Sequence, residues 1–398
     1  MKIMNKTLMI IGAGFGQLPA ILKAKEMGLK TVVIDKNPEA LGSKHADVFY
    51  PIDVLDVKGA IEIAKKHEIS GVMTMQTDLP IPTVGAIVDE IGLSGSSLEI
   101  AERCSDKILC RLAFKERGVP QPDFGIVSNY EEARNEAERI GYPCVIKAPD
   151  SSGSRGVTKV NSEDEINGAV DEAFKYSRKS QILVEEYITG LEIGAQGFSI
   201  NGKCVKVLVH NDTLSEPPYM VPTGHSFPIS LTKEEENSVI LATATAVDAL
   251  GVTDGPTNVD LFVDQNNRPL IIEIGARIGA TCLPELVEYY TGISWVEQAI
   301  NASLGIEVDL NEKIAQPVTA YIIESPKDGI LKSYNIPDEV SKHPQVKEVE
   351  ITAEIGEEVN IFRKGTDRIG KIVVIGDSVE NADNIALELI NKISIDVE

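Results

Sequence analysis

Apolar positions along this chain switch between unbroken runs, a period of about 3.6 and a period of two, and the switches lay out its elements. Residues 7–11 form a continuous apolar run, the pattern of a strand covered on both faces. An amphipathic segment follows to about residue 27, then a second apolar run at 31–34 ending on Asp35. The opening therefore reads as a strand–helix–strand unit. Strands at 47–50 and 71–75 and helices near 58–67, 82–91 and 97–103 continue the alternation. Residues 1–103 are expected to form one doubly wound α/β domain.

Ser105 is the expected N-cap of a helix that runs to 115 and stops at Gly118-Val119-Pro120. Next come a strand at 124–127, a helix at 131–140, an apolar strand carrying Lys147, a strand at 157–160, a helix at 164–174 and a strand at 181–185. Strands at 193–200 and 203–210 lead into an irregular stretch at 212–228 and a long helix at 233–250. Residues 258–277 read as two strands joined by the polar turn Asp264-Gln265-Asn266-Asn267. Alternation sets Asp260, Phe262 and Asp264 on one face of the first strand and turns Leu270, Ile272 and Ile274 away from Glu273 on the second. From about residue 315, strands at 318–323 and 371–375 and a helix at 381–392 are expected.

Composition narrows what such a chain does. A length of 398 residues with 43% hydrophobic content suits about two to three domains with sizeable cores. The net charge of -23 opposes binding to nucleic acid or to anionic membrane, so a phosphorylated ligand needs a local basic site. With no signal-peptide core and no membrane-length apolar run, a cytoplasmic protein is expected. Cys104, Cys110, Cys144, Cys204 and Cys282 are odd in number and lack CxxC spacing, which favours reduced, packed thiols over disulfides or zinc.

Several segments carry candidate chemistry. Gly12-Ala13-Gly14-Phe15-Gly16-Gln17 with Asp35 approaches a dinucleotide fingerprint, but Gln17 stands where a third glycine belongs; a tight strand–helix turn is preferred to bound NAD. Lys147 in an apolar strand requires an anion, either a ligand phosphate, the preferred reading, or a structural carboxylate. The small residues Ser152, Gly153, Ser154 and Gly156, with Arg155, make a loop whose amides can face a phosphate. After Glu185 and Glu186 the chain leaves its strand, and the freed backbone around Ile188 can pair with a purine edge, with Glu192 nearby for ribose hydroxyls. Tyr219 and His225 lie in a Pro- and Gly-containing stretch typical of substrate loops, although His225 reads equally as a surface histidine. Asp260 and Glu273 face one way from adjacent strands, as a Mg²⁺ site or as a solvated acidic face.

Taken in order, Lys107, Lys147 with the SSGSRGV loop, Glu185-Glu186-Tyr187-Ile188 with Glu192, and Asp260, Glu273 and Arg277 resemble the ATP-grasp superfamily. Residues 219–228 and the EIGARIGA stretch are most similar to the L-amino-acid ligases, and the tail resembles the biotin-carboxylase and carbamoyl-phosphate-synthase branch. The resemblance implies a pre-ATP-grasp domain at 1–103, a two-lobed α+β ATP-grasp domain at 104–305 with a lid about 119–188, and a small C-terminal α+β domain at 306–398. It implies Lys107 and Lys147 on the α- and β-phosphates and the 153–156 backbone over the β- and γ-phosphates. Adenine would meet Glu185, the Glu186 carbonyl and the Ile188 amide, with ribose on Glu192. Asp260 and Glu273 would hold Mg²⁺, with Mn²⁺ as a substitute, and Arg277 would be the catalytic arginine.

One departure stands out. The family's second metal strand usually reads E-x-N-x-R, and here Gly275 occupies the Asn position, with Asn258 as a candidate replacement. Arg363 and Arg368 are further candidates to reach toward the site. The activity implied is an ATP-dependent carboxylate–amine ligase acting on small molecules through an acyl phosphate, with a homodimer as the expected assembly. The alternatives are a phosphoribosylglycinamide synthetase-like ligase, a non-catalytic ATP-binding module and an NAD-dependent dehydrogenase.

Overall fold

A computed structural model of the chain describes residues 6–151, 155–216, 219 and 221–398. The chain forms two compact units, the first made of Met1–Leu208, Lys233–Ile278 and Val296–Val308, the second of Val209–Thr232, Gly279–Trp295 and Asp309–Glu398.

In the first unit, strands Val48–Tyr50, Lys30–Ile34, Thr7–Ile11 and Gly71–Met73 form a parallel sheet in that order. All five residues of Thr7–Ile11 are buried, as a central strand covered by helices requires. The glycine loop that follows is sealed from within. Ala13 N donates to Asp35 at 2.9 Å, Gly14 N to the Gln17 side-chain oxygen at 3.1 Å, and Gln17 Nε2 to Met75 O at 2.6 Å. The groups a dinucleotide would engage thus serve the turn itself.

A second, antiparallel sheet has the order Phe124–Val127, Ile182–Glu186, Cys144–Lys147, Val157–Val160. Helices Tyr130–Ile140 and Ile166–Tyr176 cover it, and Ala133, Ala137, Ile146, Val170 and Val184 meet in its core. A third set pairs Gly190–Ile200 with Gly255–Asp264 and the latter with Pro269–Gly275. In this hairpin Asp260 opposes Glu273, but Leu261 opposes Ile271, so Ile272 is an extra, bulged residue. The strict alternation expected over 270–274 breaks there, and Ile271 becomes the fully buried side chain.

Between the two helices at 98–117 the expected capping shifts by one residue. Asp106 caps helix Lys107–Arg117, accepting from the amides of Ile108 and Leu109 at 2.8 and 3.2 Å. Ser105 instead ends helix Leu98–Ser105 by donating to Ala101 O at 2.8 Å. An ionised carboxylate is the better acceptor for exposed amides at the positive end of a helix.

Strand Lys203–Leu214 passes from the first unit into the second. In the second unit, part of the stretch expected to be irregular is a strand, Pro222–Phe227, which pairs with residues 211–214 and with Val318–Ile323. Its last four residues are all buried, so no alternation marks it in the sequence, and Pro222 sits at the strand's first position, where a missing N–H is tolerated. Strands Gly370–Ile375 and Val346–Ile351 extend the sheet, with helix Val379–Ile390 packed on it. All five cysteines are free, and burial pushes Cys110 and Cys282 up to about 12, so neither is a thiolate nucleophile at neutral pH. Among the described residues no helix is long and apolar enough to cross a membrane.

Candidate active site

The site in the first unit grows from helix Lys107–Arg117. Residues four apart share a helix face, and here Lys107 and Arg111 both turn inward. Lys107 Nζ donates to Glu273 at 2.9 Å and to Ser151 O at 2.8 Å, tying the helix to the hairpin and to the small-residue loop. Arg111, 1% exposed, grips Glu185 through Nε at 2.8 Å and Nη2 at 3.2 Å. It also donates to the carbonyls of Ile271 and Ile272 at 3.1 and 2.9 Å. The bulge presents these two successive carbonyls to the guanidinium.

Lys147 is buried and its ammonium lies 2.7 Å from Glu185 Oε2, the oxygen that Arg111 Nη2 also reaches. Its anion in this structure is therefore a carboxylate, and one that it shares. Burial alone would raise the Glu185 carboxyl, but the charges of Arg111 and Lys147 outweigh it and bring it down to about 2. Burial, followed by the cationic neighbours Arg111 and Lys107, pulls Lys147 below its ordinary value despite Glu185. Two cations on one carboxylate leave an excess positive charge in a place shielded from water, and such a place attracts an anion.

At the hairpin's other end Asn258 lies directly opposite Gly275. The Asn258 amide donates to Asp260 at 3.0 Å and accepts from Gln196 at 2.7 Å. Asp260 is exposed and Glu273 half-exposed, so carboxylate oxygens from register-paired positions reach the surface together. An all-oxygen donor set of this kind fits a hard divalent cation such as Mg²⁺.

Arg277 closes the site with a partner the sequence does not signal. Its Nε and Nη2 donate to the two oxygens of Asp78 at 2.8 and 2.9 Å. Asp78 comes from the loop after strand Gly71–Met73, which also docks through Gln76 N to Ile278 O at 3.0 Å. A Cβ at position 275 would stand 2.4 Å from Asp78 Oδ1, so only glycine leaves room for this carboxylate. Asp78 and Arg111 were both missed. The signal for Asp78 is its position beyond the carboxyl end of a parallel strand, where ligands of open α/β sheets gather; that for Arg111 is its spacing of four from Lys107.

Ser152, Gly153 and Ser154 lie outside the described residues. Arg155 is exposed, and Gly156 closes the loop with φ +67° while its carbonyl accepts from Ala148 N at 2.9 Å. Glu186 is exposed at the end of its strand, Ile188 lies in the three-residue connector to Gly190–Ile200, and Glu192 stands opposite Phe262. In the second unit His225 is buried rather than on the surface. Its Nδ1 and that of His210 lie 2.6 and 2.8 Å from one oxygen of Asp212. Tyr219 is exposed and pairs with Arg363, which also forms a double bond-pair with Asp328 at 3.0 and 2.8 Å.

Comparison with known proteins follows the same lines. The ATP-grasp domain model matches residues 140–285 and the L-amino acid ligase C-terminal domain 2 model matches residues 321–398. The carbamoyl phosphate synthase large chain, N-terminal section, of Methanopyrus kandleri is 26% identical over 380 residues, which are 90% of this chain and 63% of that one. This chain thus spans less than two thirds of that relative. The structure of phosphoribosylglycinamide synthetase from Anaerococcus prevotii superposes with a TM-score of 0.84 and 28% identity, covering 99% of this chain and 100% of that one. That of L-amino acid ligase from Bacillus licheniformis gives 0.84 and 22%, covering 99% of both. Fold and domain matches together point to the ATP-grasp class of enzymes. Residues 140–285 thus match an ATP-grasp domain and residues 321–398 an L-amino acid ligase C-terminal domain, in a chain whose fold is that of ATP-grasp ligases.

Proposed function

We propose that this chain joins a small-molecule carboxylate to an amine through an acyl phosphate, consuming ATP. The observation that carries the reading is the shared Glu185: Arg111 and Lys147 both lean on it, and the surplus charge suits a polyphosphate. Lys107 and Lys147 would contact the α- and β-phosphates, with the 153–156 backbone over the β- and γ-phosphates. Because its carboxylate is engaged by two cations, Glu185 serves them rather than adenine, which would take the Glu186 carbonyl and the Ile188 amide; Glu192 would hold ribose. Asp260 and Glu273 would hold Mg²⁺, which when bound supplies charge neutralisation along the phosphates.

In the reaction a carboxylate oxygen attacks the γ-phosphorus while the bond to the bridging oxygen breaks, releasing ADP. The amine then attacks the acyl carbon, the C–O bond to phosphate breaks, and the nitrogen loses its proton. Arg277 would neutralise the carboxylate and the transferred phosphoryl group. The work of the chain is positioning and electrostatics, in keeping with its inert buried thiols.

The test is phosphate release from ATP with Mg²⁺ or Mn²⁺ and paired amino acids, with the product identified by mass and the assembly by light scattering. An amide product with stoichiometric ADP is expected. No phosphate release, together with no ATP-induced rise in Tm, rejects the reading. The 28% identity across nearly the full length of a phosphoribosylglycinamide synthetase favours a second reading, tested by product formation from phosphoribosylamine and glycine.

A further inference from the structure

A guanidinium has two edges that can grip a carboxylate or phosphoryl group, the side-on pair Nε and Nη2 and the end-on pair Nη1 and Nη2. In Arg277 the side-on edge is occupied by Asp78 at 2.8 and 2.9 Å, and Nη1 makes only a long contact, 3.4 Å, to Ile278 O. We infer that Asp78 is the positioning residue for Arg277, holding its side-on edge so that the end-on edge is the fork offered to the reacting anion. This rests on the ligase reading above.

Three features support it. The loop bearing Asp78 is pinned at several points: Met75 O accepts from Gln17 at 2.6 Å, Gln76 N reaches Ile278 O at 3.0 Å, and Asp78 O accepts from Ile81 N at 3.0 Å. Position 275 is kept empty for the carboxylate, since any side chain there would meet Asp78 Oδ1 at 2.4 Å. Arg277 also borders a cavity lined by Thr74, Ile81, Gly85, Ser96 and Pro256. Without a fixed partner the long side chain has somewhere else to go, and its rotamer freedom of about 2 kcal/mol would have to be lost again at each turnover.

The carboxylate that orients the arginine thus comes from the N-terminal α/β segment, and the glycine that replaces the usual asparagine is the space it needs. Asp78→Asn keeps the shape but removes the charge and one acceptor. It should lower kcat about tenfold or more while ATP affinity stays within about twofold. Gly275→Ala, which pushes Asp78 aside, should act in the same direction. The double variant should be little worse than either single one, because both act through one contact.

A readout independent of turnover is the Arg277 Nε–H resonance, assigned by its loss in Arg277→Lys. It should exchange slowly with solvent in the wild type and quickly in Asp78→Asn. Wild-type kcat in Asp78→Asn, additive losses in the double variant, or an unprotected Nε–H in the wild type each overturn the inference. A wild-type protein that releases no phosphate from ATP overturns the ligase reading instead.

Discussion

Glu185 is 3% exposed and carries two cations, and that imbalance makes its removal costly. Its carboxyl is held from 4.5 down to about 2 by Arg111 and Lys147 against the opposing pull of burial. A depressed carboxyl contributes stability that is fully present above its unfolded value and is lost as pH falls through the folded one. The window therefore runs from about pH 5 down to about 2, and the shift corresponds to roughly 3 kcal/mol. Glu185→Gln leaves two buried ammonium and guanidinium groups without a counter-charge and should cost about 3–5 kcal/mol in denaturant unfolding. In the wild type, the same measurement at falling pH should decline across that window; a flat profile removes the shared-carboxylate account. Lys147 is legible in the sequence because an ammonium in an apolar strand is costly wherever it occurs. Arg111 is not, since an arginine in an amphipathic helix resembles any surface arginine until a partner 74 residues away turns it inward.

Elements are legible where one period dominates. Helix Lys233–Leu250 and strands Thr7–Ile11 and Val318–Ile323 fall at their expected bounds. Strand Pro222–Phe227 is hidden because it is buried without alternation, and the bulge at Ile272 because register is a property of two strands together. Asp78 is hidden for the same kind of reason, its role being set by residues about two hundred positions further on. At the loop end, Gly156 combines φ +67° with a space in which a Cβ would meet Tyr176 Cβ at 2.9 Å. Both terms act against a side chain. Gly156→Ala should destabilise by about 1–3 kcal/mol, seen as a lower denaturant midpoint with an unchanged slope. It should also weaken ATP binding, because Gly156 O anchors the loop to Ala148. An unchanged midpoint and affinity would detach this loop from the site.

Across the whole molecule the charge runs against the proposed substrate. The net charge of -23 repels an approaching polyphosphate, while Lys107, Arg111 and Lys147 attract it only at contact distance, from positions largely shielded from water. Salt separates the two, because the long-range field is screened within about 10 Å at 0.1 M and buried short-range contacts are screened far less. Raising ionic strength from about 0.01 to 0.15 M should therefore speed association of a fluorescent ATP analogue and leave its dissociation nearly unchanged. A nucleic-acid-binding protein behaves in the opposite sense, losing affinity steeply over the same range. Lys147→Met should mainly speed dissociation, since it removes a contact rather than a field. Stopped-flow fluorescence resolves both rates; slower association at higher salt would mean that the approach path is locally positive, and that the acidic surface lies away from it.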